Sequence, residues 1–357
     1  MVKFVSIGSL LTRKRNKAKN LSKKPPVYAV TNDKGFALSS DLHDFTIHSE
    51  DTSNYMVVEK NDFAYNPSRL NIGSIAYFKA EGKGLISPMY VVFHADEQII
   101  MPEYLFIVIK SEAIRNKIDS LKEVGARFRF DFERWNLITI PMPSLSEQTQ
   151  IVGILDTFTT SIENLKQQIA ERRKQYEYYR DQLLNLEGKE GVEMKMLGEL
   201  SRKISSGKNK SKNREGLYPV FGSTGIIAYC DKYVFDKPLI LVARVGANAG
   251  YVHLSSGKYD VTDNTLFIEL LECISQKYIY YNLVKEKVNR YAKGGGQPLI
   301  TSSVLKEIII PVPSLEEQSR IVSILDTFKA SIANLEAQLE LREKQYEYYR
   351  NKLLTFE

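Results

Sequence analysis

The chain is poor in the residues that build metal sites, disulfide frameworks and membrane spans. Its 357 residues include two cysteines, Cys230 and Cys273, too few for a disulfide framework or a cysteine-based zinc site, so a reduced, cytoplasmic setting is expected. Its four histidines, His43, His48, His94 and His253, are scattered without ligand spacing, and no metal is expected. No apolar run reaches the ~18 residues that a membrane helix needs. The opening "MVKFVSIGSLLTRKRNK" lacks the small-residue cleavage pattern of a secretory signal. Neither "GGGQP" nor "GSTG" ends in the Gly-Lys-Ser/Thr of a phosphate-cradling loop. No Ser/His/Asp or Cys/His set stands out, so no catalytic residues are assigned.

Charge is present, and its distribution says more than its sum. The net charge is +6, from 49 basic and 43 acidic residues. Seven basic residues lie between Arg13 and Lys24, and the first acid of the chain is Asp33. Six more lie between Arg202 and Arg214 with no acid among them. Such blocks point to a polyanion such as nucleic acid.

The strongest signal is a repeat. "QYEYYR" occurs at 175–180 and again at 345–350, and the match extends without a gap over 141–187 and 311–357, with about 29 of 47 positions identical. This spacing is far too long for a solenoid and marks a duplicated half-protein. Both copies open with a capping box, Ser144 with Glu147 and Ser314 with Glu317. Apolar residues then recur at spacings of four and three. Copy one gives Ile151, Leu155, Phe158, Ile162, Leu165, Ile169, Arg172, Tyr176, Tyr179, Leu183 and Leu186. Copy two gives Ile321, Leu325, Phe328, Ile332, Leu335, Leu339, Arg342, Tyr346, Tyr349, Leu353 and Phe356. A 3.5-residue period held this long predicts a coiled-coil seam, interrupted in both copies by an arginine that can fix register. An ordinary amphipathic helix shares the local spacing but drifts to a 3.6-residue period. Each helix would be about 55 Å long. Two equivalent helices in one chain can pair antiparallel about a pseudo-two-fold axis; the alternative is pairing with another chain. Gly188 and Gly191 are expected to end the first helix and open a short linker.

The remaining segments, 1–140 and about 192–310, share a layout but few residues. "SIGSLLTRK" (6–14) aligns with "MLGELSRKI" (196–204), which places the two basic blocks on each other. Strands are predicted in 74–80, 89–95, 237–246 and 263–271. Helical spacing covers 102–121 and 276–291, and the Gly-rich stretch 294–303 is a loop. The expected fold is α+β: two mixed α/β domains joined by two long helices, with an internal pseudo-two-fold repeat. The domain reading is 1–140, a first helix at 141–187, a linker and second domain at 188–310, and a second helix at 311–357.

At the level of "IPVPSLEEQSRIVSILDTF" (310–328) and its twin at 140–158, "YPVFGSTGIIAYCDKY" (218–233), "LILVARVGANAGYV" (239–252), "VTDNTLF" (261–267) and "GGGQPLITSSVLKEI" (294–308), the chain resembles the specificity (S) subunits of type I restriction–modification enzymes. The first half departs from the pattern in "VYAVTNDKGFALS" (27–39) and "FAYNPSRLNIGSIAYF" (63–78), which implies a different half-site. The resemblance implies that each variable segment is a target recognition domain for one half of a bipartite, gapped site on double-stranded DNA. It implies that the helices form an antiparallel coiled coil that sets their spacing, that two methyltransferase (M) subunits dock on it, and that restriction (R) subunits can join. S-adenosylmethionine would then belong to the M subunit, and ATP and magnesium to the R subunit, with no cofactor on this chain.

Phosphate contacts call for Lys and Arg. The candidates are Lys14, Arg15, Lys17, Lys19, Lys23 and Lys24, and in the second domain Lys208, Lys210, Lys212 and Arg214. Base reading calls for forked side chains: Arg69 and Asn71 in the first domain, Arg244, Asn248 and Gln297 in the second. Arg127 and Arg129 occupy the place of the second domain's Gly-rich loop. Tyr65, Tyr229 and Tyr251 are read as core residues. Two other readings remain at this stage. "YNPS" (65–68) shares an Asn and a proline with the catalytic tetrapeptide of adenine methyltransferases, but Ser68 and Arg69 replace its last two residues. A non-catalytic coiled-coil scaffold, or a silent recombination-partner allele without DNA targeting, is the remaining alternative.

Overall fold

The protein is described by a computed structural model covering residues 2–31, 35–41, 51–121 and 128–356. It divides into two compact units: unit 1 contains Met1–Asn164 and Leu339–Glu357, and unit 2 contains Leu165–Gln338. Each long helix is thus shared between the units, whereas the sequence reading set the helices apart as separate segments. Among the described residues no helix is long and apolar enough to cross a membrane.

In unit 1, β1 (Lys3–Ser6) pairs antiparallel with β10 (Thr139–Met142) in a two-stranded ribbon. This ribbon runs through the boundary drawn at residue 140. An antiparallel sheet has the order β2 (Leu11–Lys14), β9 (Val91–Ala95), β6 (Phe63–Tyr65), β7 (Ile75–Tyr77). A second sheet has the order β4 (Gly35–Leu38), β3 (Val27–Thr31), β8 (Lys83–Ile86), β5 (Met56–Glu59), with β3 and β8 parallel. The helical spacing over 102–121 resolves into two helices, α1 (Pro102–Ile109) and α2 (Glu112–Ser120). The break falls at Ser111, whose side chain accepts from the Ile114 N–H and so caps α2. The core is aromatic, with Trp135, Tyr65, Tyr104, Phe93 and Phe130 fully buried.

Unit 2 repeats this plan. The ribbon is β11 (Glu193–Met196) with β19 (Ile309–Val312). The antiparallel sheet is β12 (Ser201–Ser206), β18 (Thr265–Leu270), β15 (Ile240–Ala243), β16 (Val252–Leu254). The other sheet is β14 (Gly225–Cys230), β13 (Tyr218–Gly222), β17 (Asp260–Val261), again with one parallel pair. The two segments therefore share strand order where they share little sequence, save that the second sheet has four strands in unit 1 and three in unit 2. Of the predicted helix 276–291, α4 (Gln276–Glu286) covers the first part. Lys287 then turns left-handed at φ 51°, and a 3₁₀ turn follows. The short α5 (Ser302–Lys306) trims the predicted loop to end at Thr301.

The repeat forms α3 (Leu145–Leu183) and α6 (Leu315–Leu354). The first cap is a full capping box: Ser144 N–H donates to Glu147 at 2.8 Å, and Glu147 N–H donates to Ser144 Oγ at 3.3 Å. The Ser144 hydroxyl, which donates to the Glu147 carboxylate at 2.7 Å, and then the Ser144 N–H hold that carboxyl below its ordinary pKa. The second is half a box, because Glu317 turns to Arg320 instead, with two bonds of 2.7 Å. Leu186 and Phe356, read as the last seam positions, lie beyond the helix ends, Leu186 in the core of unit 2 and Phe356 packed against that of unit 1. The other seam positions are buried or half-buried except Tyr179 and Tyr349, at 46% and 40% exposure. Both tyrosines still have seam partners. In unit 2, Tyr179 stacks on Phe328 at 5.4 Å, and Arg172 lies over the same ring at 6.0 Å. In unit 1, Tyr349 stacks on Phe158 at 5.3 Å, and Arg342 lies over that ring at 5.7 Å. Within unit 2, Arg173 meets Glu336 while Tyr179 meets Phe328, so the two helix segments there run in opposite directions.

The first seam residues serve a second purpose. Ile151 and Leu155 belong to the core of unit 1, and Ile321 and Leu325 to that of unit 2. Beside them a buried glutamine ties each helix to its domain. Gln148 accepts from Met101 N–H at 2.8 Å and donates to Ile99 O at 3.1 Å and Pro143 O at 3.0 Å. Gln318 accepts from Ser275 N–H at 3.0 Å and donates to Pro313 O at 2.9 Å. Tyr104 and Tyr278 add hydroxyl bonds to Pro141 O and Pro311 O, at 3.1 and 2.7 Å. Gln148→Ala strands three backbone groups. We expect it to destabilise unit 1 by about 2 kcal/mol, seen as a lower urea midpoint in Trp135 fluorescence. The exposed neighbour substitution Gln150→Ala should leave that midpoint in place.

Candidate nucleic-acid interface

In unit 2 the short segment 261–265 gathers three elements by backbone hydrogen bonds. Gly207 N–H reaches Thr265 O at 3.2 Å and Asn209 N–H reaches Val261 O at 3.1 Å, anchoring the basic loop. Thr262 N–H reaches Phe221 O at 2.9 Å, anchoring β13. Arg244 N–H reaches Asn264 O at 2.9 Å. Gly207 is required at this crossing, since a Cβ there would stand 1.9 Å from Val261 O.

The basic loop "KNKSKNR" (208–214) alternates between anchors and cations. Asn209 Nδ2 donates to Asp260 at 2.7 Å, and its Oδ1 accepts from Ser211 N–H at 2.7 Å. Ser211 Oγ donates to Tyr229 O at 2.9 Å, and Tyr229 N–H donates to Asn213 O at 2.9 Å. Lys208, Lys210, Lys212 and Arg214 stand between these anchors, all exposed, and among the described residues none has a carboxylate partner. The result is a row of uncompensated cations whose neutral neighbours tie it first to Asp260 and Val261 and then, at Ser211 and Asn213, to Tyr229 of β14. The sequence carried the signal as a period of two, which a reading for charge alone passed over.

Arg244 is half-exposed and donates through Nη1 to Asp263 O at 3.2 Å. Its loop joins the Gly-rich loop through Gly246 N–H to Pro298 O at 3.0 Å and Ile300 N–H to Arg244 O at 2.8 Å. The structure therefore brings the loops of Arg244, Asn248 and Gln297 together, with Asn248 and Gln297 exposed. Tyr251, at 63% exposure, and Tyr229, at 36%, are surface residues rather than core, because their rings leave the sheet at loop and edge positions. Of the three tyrosines read as core only Tyr65 is buried. His253 lies against Phe221 and Tyr251, and burial lowers its pKa.

Unit 1 places its counterparts similarly. Arg69 and Asn71 occupy the β6–β7 loop, exposed and half-exposed. Phe130 N–H to Pro67 O, at 2.9 Å, ties the Arg129 segment to that loop. Arg129 is paired with Asp131 at 3.1 Å, and Arg127 lies outside the described residues. The basic stretch runs along residues 53–57, with Ala18 N–H to Tyr55 O and Lys19 N–H to Ser53 O both at 2.9 Å. Arg15, Lys17, Lys19, Lys23 and Lys24 are exposed. Lys14 is not a free cation. It bridges Asp62, which is fully buried, at 2.8 Å and Glu59 at 3.0 Å. Burial alone would lower the Lys14 pKa, but its bonds to Asp62 and Glu59 outweigh that and raise it. Lys14 thus neutralises an interior carboxylate that also meets His94 at 2.9 Å. In "YNPS", Asn66 accepts from Ser68 N–H at 3.0 Å and is buried, so it builds its own turn.

A family model described as type I restriction modification DNA specificity domain matches residues 2–172 and again 189–342. The specificity subunit of the Escherichia coli type I restriction enzyme EcoR124I/EcoR124II is 34% identical over 256 residues, covering 61% of this chain and 63% of that protein. The Escherichia coli EcoprrI specificity subunit is 33% identical over 204 residues, covering 53% of this chain and 50% of that one. The matches thus span between half and two thirds of these relatives' length. The crystal structure of a type I S subunit from M. genitalium aligns over 100% of this chain and 97% of its own, with a TM-score of 0.65 at 15% identity. A chain from a type I R-M system solved for complex assembly and conformational transition aligns with a TM-score of 0.63 at 19% identity, covering 99% and 98%. These two likenesses concern the fold. With two specificity domains matched along most of its length, the chain belongs to the type I restriction modification DNA specificity family.

Proposed function

We propose that this chain is the DNA-reading subunit of a type I restriction–modification complex, each recognition domain taking one half of a bipartite, gapped site. The observation that carries this is the anchored row Lys208, Lys210, Lys212, Arg214. Four uncompensated cations beside loops bearing Arg244, Asn248 and Gln297 pair a phosphate-binding edge with forked base-reading groups. Unit 1 likewise exposes Arg15, Lys17, Lys19, Lys23 and Lys24, with Arg69 exposed and Asn71 half-exposed on its β6–β7 loop. The relatives' description as specificity subunits supports the same role.

In this proposal α3 and α6 pair along their length as an antiparallel coiled coil related by a pseudo-two-fold axis. The matched Arg–Phe–Tyr stacks support it. Two methyltransferase subunits dock on this scaffold, restriction subunits join them, and the complex works in the cytoplasm. S-adenosylmethionine, ATP and magnesium reside on those partners, and this chain itself is non-catalytic.

The direct test is co-expression with a cognate methyltransferase subunit in a methylation-free host, followed by sequencing for N6-methyladenine. A gapped motif that depends on this chain is expected. No motif despite a stable complex would favour the scaffold or silent-allele reading. Arg244→Ala should relax one half of the motif and leave the other intact; equal loss in both halves would remove Arg244 from base reading. One heptad inserted into α3 and α6 together should lengthen the gap, and an unchanged gap would overturn the spacer role. Replacing Lys208, Lys210, Lys212 and Arg214 by serine should flatten the slope of log K against log salt by about 0.9 for every phosphate that is no longer neutralised.

A further inference from the structure

The hairpin of β13 and β14 ends in two exposed isoleucines that packing within the domain does not explain. Ile226 is 51% exposed and Ile227 46%. Adjacent strand residues normally face opposite sides, one of them inward. Here the register runs Val220↔Ala228 and then Phe221↔Ile226, so Ile227 is the extra residue of a β-bulge. The bulge releases both side chains to solvent. Gly222 makes room for it, since a Cβ there would stand 2.7 Å from Ile227 Cδ1. The turn beyond is formed by Gly222 opposite Gly225, the latter at φ 98°. A narrow two-stranded tip thus carries an apolar knuckle.

The cation row identifies what meets it. Ser211 and Asn213 are bonded to Tyr229, two residues along β14 from Ile227, so Lys212 and Arg214 flank the same strand. A polyanion held by that row lies against the hairpin. We propose that Ile226 and Ile227 read thymine through its C5-methyl group in the major groove. A two-stranded ribbon fits that groove, and the thymine methyl is the apolar mark on its floor. The assignment rests on the DNA-reading function proposed above and makes these isoleucines specificity determinants of the second recognition domain.

Deoxyuridine differs from thymidine only by that methyl. The test uses the full chain with its methyltransferase partners and duplexes bearing the motif found by sequencing. Each thymine of both half-sites is replaced in turn by deoxyuridine. Wild-type protein should lose about fourfold in affinity, the worth of one buried methyl group, at one or two positions confined to a single half-site. Ile226→Ser/Ile227→Ser should bind the thymine duplex as weakly as wild type binds the uracil one, with no further loss on removing the methyl. Indifference to uracil at every position overturns the assignment, as does an equal loss in the variant or a motif without thymine on either strand. A variant that loses affinity for uracil and thymine duplexes alike points to a minor-groove wedge or a protein contact, and also overturns it. Titration with unrelated duplex at low salt separates the two failures. Without salt-dependent binding the DNA-reading function falls; with it, only the isoleucines' role does.

Discussion

The recognition domains depend on how a glutamine amide is satisfied where each long helix begins. Gln148 and Gln318 are buried, and each holds the residue that precedes a domain helix, Met101 before α1 and Ser275 before α4. A buried amide is costly unless its donors and acceptor are met. Once met it is directional, which apolar contact is not. The pair Tyr104–Pro141 and Tyr278–Pro311 repeats the logic one step earlier in the chain. Together these bonds fix the angle at which a long helix leaves its domain. A leucine at the glutamine position could fill the space but would specify no orientation. This accounts for "P-x-P-S-L-x-E-Q" standing in both copies while the domains around it diverge.

A similar argument covers the arginines within the seam. Apolar residues at Arg172 and Arg342 would bury more surface. Instead each guanidinium lies over a phenylalanine that already stacks with a tyrosine, Phe328 with Tyr179 and Phe158 with Tyr349. A cation over an aromatic face keeps its charge partly solvated and gains an oriented contact. A shift of one helix turn would separate all three groups. The two QYEYYR stretches therefore hold register, with Tyr176 and Tyr346 carrying Arg180 and Arg350 over their rings on the adjoining turn.

The helices were legible in the sequence because a 3.5-residue period and a capping box are local signals, and nothing distant overrides them along a 39-residue helix. The strands at 240–243, 265–270, 75–77 and 91–95 were legible for the same reason. What escaped depends on long-range partners. Lys14 reads as a surface cation in a basic run, and only Asp62, 48 positions away, turns it inward. Leu186 continues the heptad arithmetically, but the helix has ended at Leu183. Tyr229 and Tyr251 read as core by composition, yet edge and loop placement exposes them. The shared strand order of the two domains was hidden because it rests on pairing between segments whose residues differ.

The alternation in "KNKSKNR" shows how a flexible, charged loop can become a precise surface. A run of lysines alone would stay mobile, and each contact with an anion would have to offset the ordering of the chain. Here the neutral residues are tied down before any ligand arrives: Asn209 to Asp260, Ser211 to Tyr229, Asn213 through its carbonyl. The cations are left with their charge uncompensated and their backbone already ordered. Among the described residues Asp260, 9% exposed, takes no lysine as a partner and accepts an amide instead. Had it paired with Lys208 or Lys210, as Asp62 pairs with Lys14, the loop would be equally anchored but less able to bind an anion. The two domains thus use one type of residue for opposite ends, and the identity of the carboxylate's neighbour decides which.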